Sequence, residues 1–127
     1  MEYPKNLRYT KDHEWVRVDG DIATVGITEY AQDALGDIVF VELPKAGDEV
    51  VANKGIAVVE SVKSVSDVMA PLSGQVIEVN EGLEDTPETV NQNPYEAGWM
   101  FKIKIADPSE AESLLTAESY QELVGSK

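Results

Sequence analysis

A chain of 127 residues is long enough for one domain with a real core and too short for two comfortable ones. Ten basic residues against 24 acidic ones leave a formal net charge of −14, which disfavours nucleic-acid phosphates and anionic membrane surfaces as partners and suits docking onto basic proteins. There is no cysteine, hence no disulfide framework, thiolate metal site or cysteine nucleophile; any sulfur chemistry must come from an attached group.

Hydrophobic residues make up 43% of the chain, enough for it to fold. The start Met1-Glu2-Tyr3-Pro4-Lys5 lacks the apolar core of a signal peptide, and no run approaches a membrane span, so the expectation is a cytoplasmic protein. Glu14 to Val18 and Ile22 to Ile27 read as strands joined through Asp19-Gly20, a pair that favours a tight hairpin turn. Thr28 is placed to cap a short helix over Glu29 to Leu35 that Gly36 ends. A strand from Ile38 to Leu43 stops at Pro44, Gly47-Asp48 turns, and Glu49-Val50-Val51 follows.

Two β-rich runs, Ala57 to Glu60 and Val65 to Met69, then flank a few small residues and read as a hairpin with Lys63 at its tip. Lysine has little propensity for a turn, but a flexible stem ending in a lone amine can carry a group without disturbing a core. The alternative is a solvated surface lysine. Pro71, Ser73 and Gly74 turn the chain into Val76-Ile77-Glu78-Val79. Residues 80–98, rich in Asn, Glu, Pro and Gly, read as a long ordered loop with one helical turn. Trp99, Phe101, Ile103 and Ile105 alternate with Met100, Lys102 and Lys104 as a half-buried strand. Pro108 opens two short C-terminal helices whose core side is Leu114, Leu115, Tyr120, Leu123 and Val124.

The fold expected is mainly β, a two-sheet sandwich or flattened barrel with helical additions. A weak echo between the segments before and after the Lys63 hairpin fits two sheets related by a rough two-fold. The inward side chains should include Val25, Ile27, Phe40, Val58, Val76, Val79, Phe101 and Ile103, with Lys63 exposed at one extremity.

Glu60-Ser61-Val62-Lys63-Ser64, then Ser66-Asp67-Val68 and Ala70-Pro71-Leu72-Ser73-Gly74, resemble the attachment region of the lipoyl-carrying H proteins of the glycine cleavage system. His13-Glu14-Trp15-Val16, Gly26-Ile27-Thr28, Leu35-Gly36-Asp37 and Val39 to Pro44 are similar to the same family, as are Glu78-Val79-Asn80, Val90-Asn91, Pro94-Tyr95 and Gly98-Trp99-Met100. The likeness runs over roughly residues 7 to 124, in order and with fitting spacing. It implies one lipoyl-carrier domain over 1–127, of the barrel-sandwich hybrid type, with residues 14–105 as the β core and 108–124 as helices.

The resemblance also implies a non-catalytic carrier with no resident metal and with lipoate joined by an amide to Lys63. Its partners would be a pyridoxal-phosphate glycine decarboxylase, a tetrahydrofolate-dependent aminomethyltransferase, dihydrolipoamide dehydrogenase and a lipoate-attaching enzyme. The carrier would be a monomer, and some H-like proteins also donate lipoyl groups to other enzymes. Glu60, Ser61, Val62 and Ser64 would be read by the attaching enzyme. Glu14, Asp67 and Asp12 would form an anionic rest for the cationic aminomethyl end of the arm.

Other readings compete. Biotin carriers place Met on both sides of the lysine, where this chain has Val62 and Ser64, and lipoyl domains of the 2-oxoacid dehydrogenases place Asp before it and Ala after it. An enzyme would recruit His13, Glu14 and Asp67 as acid–base groups, but a single histidine and no serine elbow give nucleophilic triads or metal sites little support. An adaptor domain would leave Lys63 unmodified. Trp15 and Trp99 read as core residues and His13 as a packed or hydrogen-bonded one.

Overall fold

Gly20, at φ 64°, turns strand β2 (Glu14–Asp19) directly into β3 (Ile22–Ile27), with Asp19 paired to Ile22. The left-handed backbone needed there is the one glycine adopts without a steric penalty. The computed structural model describes residues 2–125. Six antiparallel strands form the larger sheet in the order β1 (Arg8–Tyr9), β2, β3, β9 (Phe101–Ile105), β8 (Gly74–Val79) and β5 (Glu49–Val50). A second sheet holds β4 (Ile38–Glu42), β6 (Gly55–Ser61) and β7 (Val65–Met69) in that order. The architecture is thus mainly β, in two sheets with short helices.

Helix α1 (Glu29–Leu35) starts where the hydroxyl of Thr28 accepts from Ala31 N at 3.1 Å and stops at Gly36, φ 88°. Residues 80–98 hold two short helices, α2 (Gly82–Asp85) and α3 (Thr89–Gln92), rather than one helical turn. They bury Leu83 and Val90 in the main core, and that burial organises an otherwise polar stretch. The C-terminal helices are α4 (Ser109–Glu112), preceded by Pro108, and α5 (Ala117–Gly125). Glu110 ties α4 to the start of β8 by accepting from Ser73 N at 2.8 Å and from its hydroxyl at 3.1 Å. Tyr120 of α5 stacks on Tyr9 with centroids 4.8 Å apart, in a second core cluster that includes Trp15. Among the described residues no helix is long and apolar enough to cross a membrane.

Val25, Ile27, Val76, Phe101 and Ile103 are buried in the main core between the sheets, and Val79 packs against it half-buried. Two expected inward residues face outward. Phe40 is 45% exposed because β4 slips register between Ile38 and Phe40: Ile38 pairs with Ser61 and Phe40 with the adjacent Glu60. The extra residue shifts the alternation, so Ile38 and Val41 are buried while Val39 and Phe40 both face solvent. Val58 shares a face with Glu60, and the buried set of β6 is Ala57, Val59 and Ser61. Just before β9, Met100 is buried and Trp99 only half-buried, the reverse of the alternation read from sequence, and Met100 N donates to Val25 O at 2.8 Å.

Candidate functional site

The β6–β7 hairpin projects Val62, Lys63 and Ser64 as its tip. The hydroxyl of Ser61 organises the turn: it accepts from Ser64 N at 3.0 Å and Lys63 N at 3.3 Å and donates to Ser64 O at 3.2 Å. Ser61 N also donates to Ser64 O at 2.7 Å. A lysine therefore occupies a turn for which it has little propensity because the neighbouring serine satisfies the backbone. Lys63 is exposed, and among the described residues no carboxylate pairs with its ammonium. Its stem passes over Gly36, where a Cβ would lie 3.5 Å from Lys63 Cε.

The tip is anchored to the body of the protein. Val62 N donates to Asp37 O at 3.1 Å. Asn91 in turn secures the chain around Asp37: its amide nitrogen donates to Gly36 O and Gln32 Oε1, both at 2.9 Å, and its oxygen accepts from Ile38 N at 2.8 Å. Asn91 has no role in the sequence reading beyond family likeness. It sits among the polar Thr89, Gln92 and Asn93 around the one apolar residue Val90, so nothing local distinguishes it, and the partners it satisfies lie more than 50 positions away.

Of the residues expected to be read by an attaching enzyme, Val62 is 71% exposed and Ser64 is exposed. Glu60 is half-buried on the outer sheet face, and Ser61 is turned inward as the support of the turn. The three carboxylates expected to form an anionic rest divide into two layers. Asp12 and Asp67 line a surface cavity of about 380 Å³ together with Lys11, His13, Val65, Ser66 and Met69, so a lysine ammonium shares the site with the two carboxylates. Glu14 lies behind it, only 2% exposed, its carboxylate accepting from the Thr10 hydroxyl at 2.5 Å and from Met69 N at 3.2 Å.

Burial pushes the Glu14 carboxyl up to about 7; the bonds from Thr10 and Met69 oppose the shift and the nearby Asp12 adds to it. An acid whose folded value lies above its unfolded one binds the proton more tightly in the folded state. Its contribution to stability is complete below the unfolded value near 4.5 and disappears as pH rises through about 7. Glu14→Gln, which stays neutral, should remove that component. Melting temperatures from pH 4.5 to 8 should show the parent losing ground to the variant across this window, whereas parallel curves would show that Glu14 does not titrate there.

His13 holds a left-handed backbone at φ 72°, and its Nδ1 shares a hydrogen bond of 2.8 Å with the Tyr120 hydroxyl, which also bonds Thr28 Oγ1 at 2.8 Å. The histidine is thus engaged in fastening α5 to the β2–β3 region. Trp15 is fully buried and donates from Nε1 to Pro94 O at 2.8 Å. Among the described residues no group of three or more His, Asp or Glu side chains is arranged to hold a metal ion.

Comparison with known proteins shows the family and the fold. The family model described as glycine cleavage H-protein matches residues 7–127. The glycine cleavage system H protein of Staphylococcus carnosus is 54% identical over 125 residues, covering 98% of this chain and 99% of the relative. That of Halothermothrix orenii is 58% identical over 120 residues, 94% of each. The crystal structure of a glycine cleavage system H protein from Mycobacterium marinum superposes with a TM-score of 0.90 at 43% identity, covering 97% of this chain and 99% of that one. With the match extending over nearly the whole length, in both sequence and fold, the chain belongs to the glycine cleavage H-protein family.

Proposed function

We propose that this protein is the lipoyl-carrying shuttle of a glycine cleavage system, a single domain over residues 1–127 with Lys63 as the attachment point. The observation that carries the reading is the exposed Lys63 amine at a tip held by Ser61 and anchored through Asp37. A primary amine without an ion-pair partner among the described residues is a suitable acyl acceptor, so the site fits an amide-linked lipoate. When bound, lipoate supplies a disulfide that accepts the aminomethyl group and two electrons. This chain's residues hold the base of the arm and present it to successive partners, and tethering raises the effective concentration of the cargo at each docked active site.

The partners in this reading are glycine decarboxylase, the aminomethyltransferase, dihydrolipoamide dehydrogenase and the lipoate-attaching enzyme, met in the cytoplasm by a monomeric, non-catalytic carrier. A further role as lipoyl donor to other enzymes is compatible with the same lysine. Intact mass after expression with lipoate, followed by peptide mapping, tests the reading. A single lipoyl increment on Lys63 supports it, and an unmodified Lys63 under conditions that lipoylate a known carrier overturns it.

Asp12 and Asp67 provide the anionic rest for the cationic end of the cargo, with Glu14 as a buried third acid. An ammonium within ~4 Å of a carboxylate gains ~4 kcal/mol at an effective dielectric of ~20, before desolvation, and only ~0–1 kcal/mol on an open surface. Asp12 and Asp67 are both exposed and Lys11 shares the cavity wall, so the pair lies toward the weaker, solvent-screened case. Glu14→Ala combined with Asp67→Ala should leave lipoylation intact while cargo leaves the isolated protein faster. Equal rates of loss from the double variant and the parent would remove these two residues from the mechanism.

A further inference from the structure

The bonds that Ser61 makes close the hairpin turn on itself, and the tip meets the body of the protein where Val62 N donates to Asp37 O at 3.1 Å. Asp37 lies in the two-residue connection between α1 and β4, and the β4 ladder slips register just beyond it, between Ile38 and Phe40. Strand pairing therefore gives Asp37 little support. One side chain supplies it instead. The amide of Asn91 brackets Asp37, donating to Gly36 O at 2.9 Å on one side and accepting from Ile38 N at 2.8 Å on the other. The same Gly36 backbone is the floor under the lysine stem, since a Cβ there would lie 3.5 Å from Lys63 Cε.

Asn91 is itself firmly placed. It follows Val90, which is fully buried in the main core, and the Val90 backbone packs against Gly98, where a Cβ would lie 3.3 Å from Val90 Cα. Helix α1, by contrast, needs little from Asn91. Thr28 caps its start, Gly36 N donates to Gln32 O at its end, and Ala31 and Leu35 pack on the core. Of the three bonds that Asn91 makes, the one to Gln32 Oε1 at 2.9 Å serves the helix, and the other two serve the backbone that holds the tip.

We propose that Asn91 is a positioning residue of the shuttle, acting through Asp37 and Val62 to fix the direction in which Lys63 carries its arm away from the protein. The inference rests on Lys63 being the attachment point. An arm with an ordered base surrenders less freedom when it enters a partner's active site. The effect therefore falls on how readily the carrier is taken up rather than on the chemistry that follows. Aspartate in place of Asn91 keeps the shape but can only accept, and it turns an oxygen toward Gly36 O where an N–H stood.

The test uses the lipoylated full chain, as the parent and as Asn91→Asp, Asn91→Ala and Gln32→Ala, in a reconstituted glycine-cleavage mixture with the carrier concentration varied. Both Asn91 variants should raise KM for the carrier about fivefold or more, with kcat within about twofold. In the same proteins, amide hydrogen exchange should quicken about tenfold more at Val62 than at Ile103, whose rate follows opening of the whole domain. Gln32→Ala, which removes only the bond that serves the helix, should match the parent in both measurements. A parental KM in the Asn91 variants, or an equal effect from Gln32→Ala, would overturn the positioning role while leaving the carrier reading standing. So would acceleration no greater at Val62 than at Ile103, the mark of a residue that merely stabilises the fold. Failure of the parent itself to acquire lipoate at Lys63 would overturn both.

Discussion

Lys63→Arg is expected to abolish glycine-cleavage activity in a reconstituted mixture while leaving the melting temperature unchanged. Arginine keeps the charge and approximate length of the side chain, but its guanidinium is always protonated and is no acyl acceptor. The tip should tolerate the exchange because its hydrogen bonds come from the Ser61 hydroxyl and from backbone groups, none of which involves the lysine side chain. Lys63 is also exposed at the tip, so no cavity or buried charge results. Intact mass of the variant should show no lipoyl increment. Activity equal to the parent would refute the carrier role, and comparison of the two melting curves separates that outcome from unfolding.

Phe101→Ala should be among the most damaging single changes to the fold. The ring is fully buried between the sheets, and its strand pairs with β3 through Val25 and with β8 through Val79. Truncating a buried phenylalanine costs about 3–5 kcal/mol, a large part of the 5–15 kcal/mol that stabilises an ordinary domain. Urea unfolding should register that loss directly, with the melting temperature falling by roughly 10–20 °C. Phe40→Ala removes the same atoms from a half-solvated position and should cost within about 1 kcal/mol. Similar losses for the two phenylalanines would contradict the division into an inner and an outer face.

Local chemistry made most of the elements legible from sequence. Asp19-Gly20, the Thr28 cap and the Gly36 stop each determine their structure within a few residues, and the strands and α1 they bound lie where the pattern puts them. Phe40 and Val58 escaped the same reasoning for different reasons. A one-residue bulge leaves no mark in a run as uniformly apolar as Ile38-Val39-Phe40-Val41, and only the partner strand reveals it. In Ala57-Val58-Val59-Glu60 the charged residue does indicate the outer phase, and Val58 follows it outward. The exposed lysine was readable as a hairpin tip, but the depth of Glu14 was not. Its burial arises from Thr10 and from Met69, 55 positions further along the chain, meeting over its carboxylate. The anchoring by Asn91 is equally non-local.

The free edges of the two sheets bear on how concentrated such a protein can become. A long flat edge strand templates pairing with other copies. Here the larger sheet ends in β1 and β5, two residues each, and β1 is covered further where Tyr9 and Leu115 exchange backbone hydrogen bonds at 2.8 Å. The smaller sheet ends in β4, broken by its bulge, and in β7, where the carboxylate of Glu14 occupies the amide of Met69. The two-residue β1 and β5 and the bulged β4 offer no straight row of open donors and acceptors, and mutual repulsion from a net charge of −14 keeps copies apart. Edges blunted in this way are poor templates for strand pairing between copies.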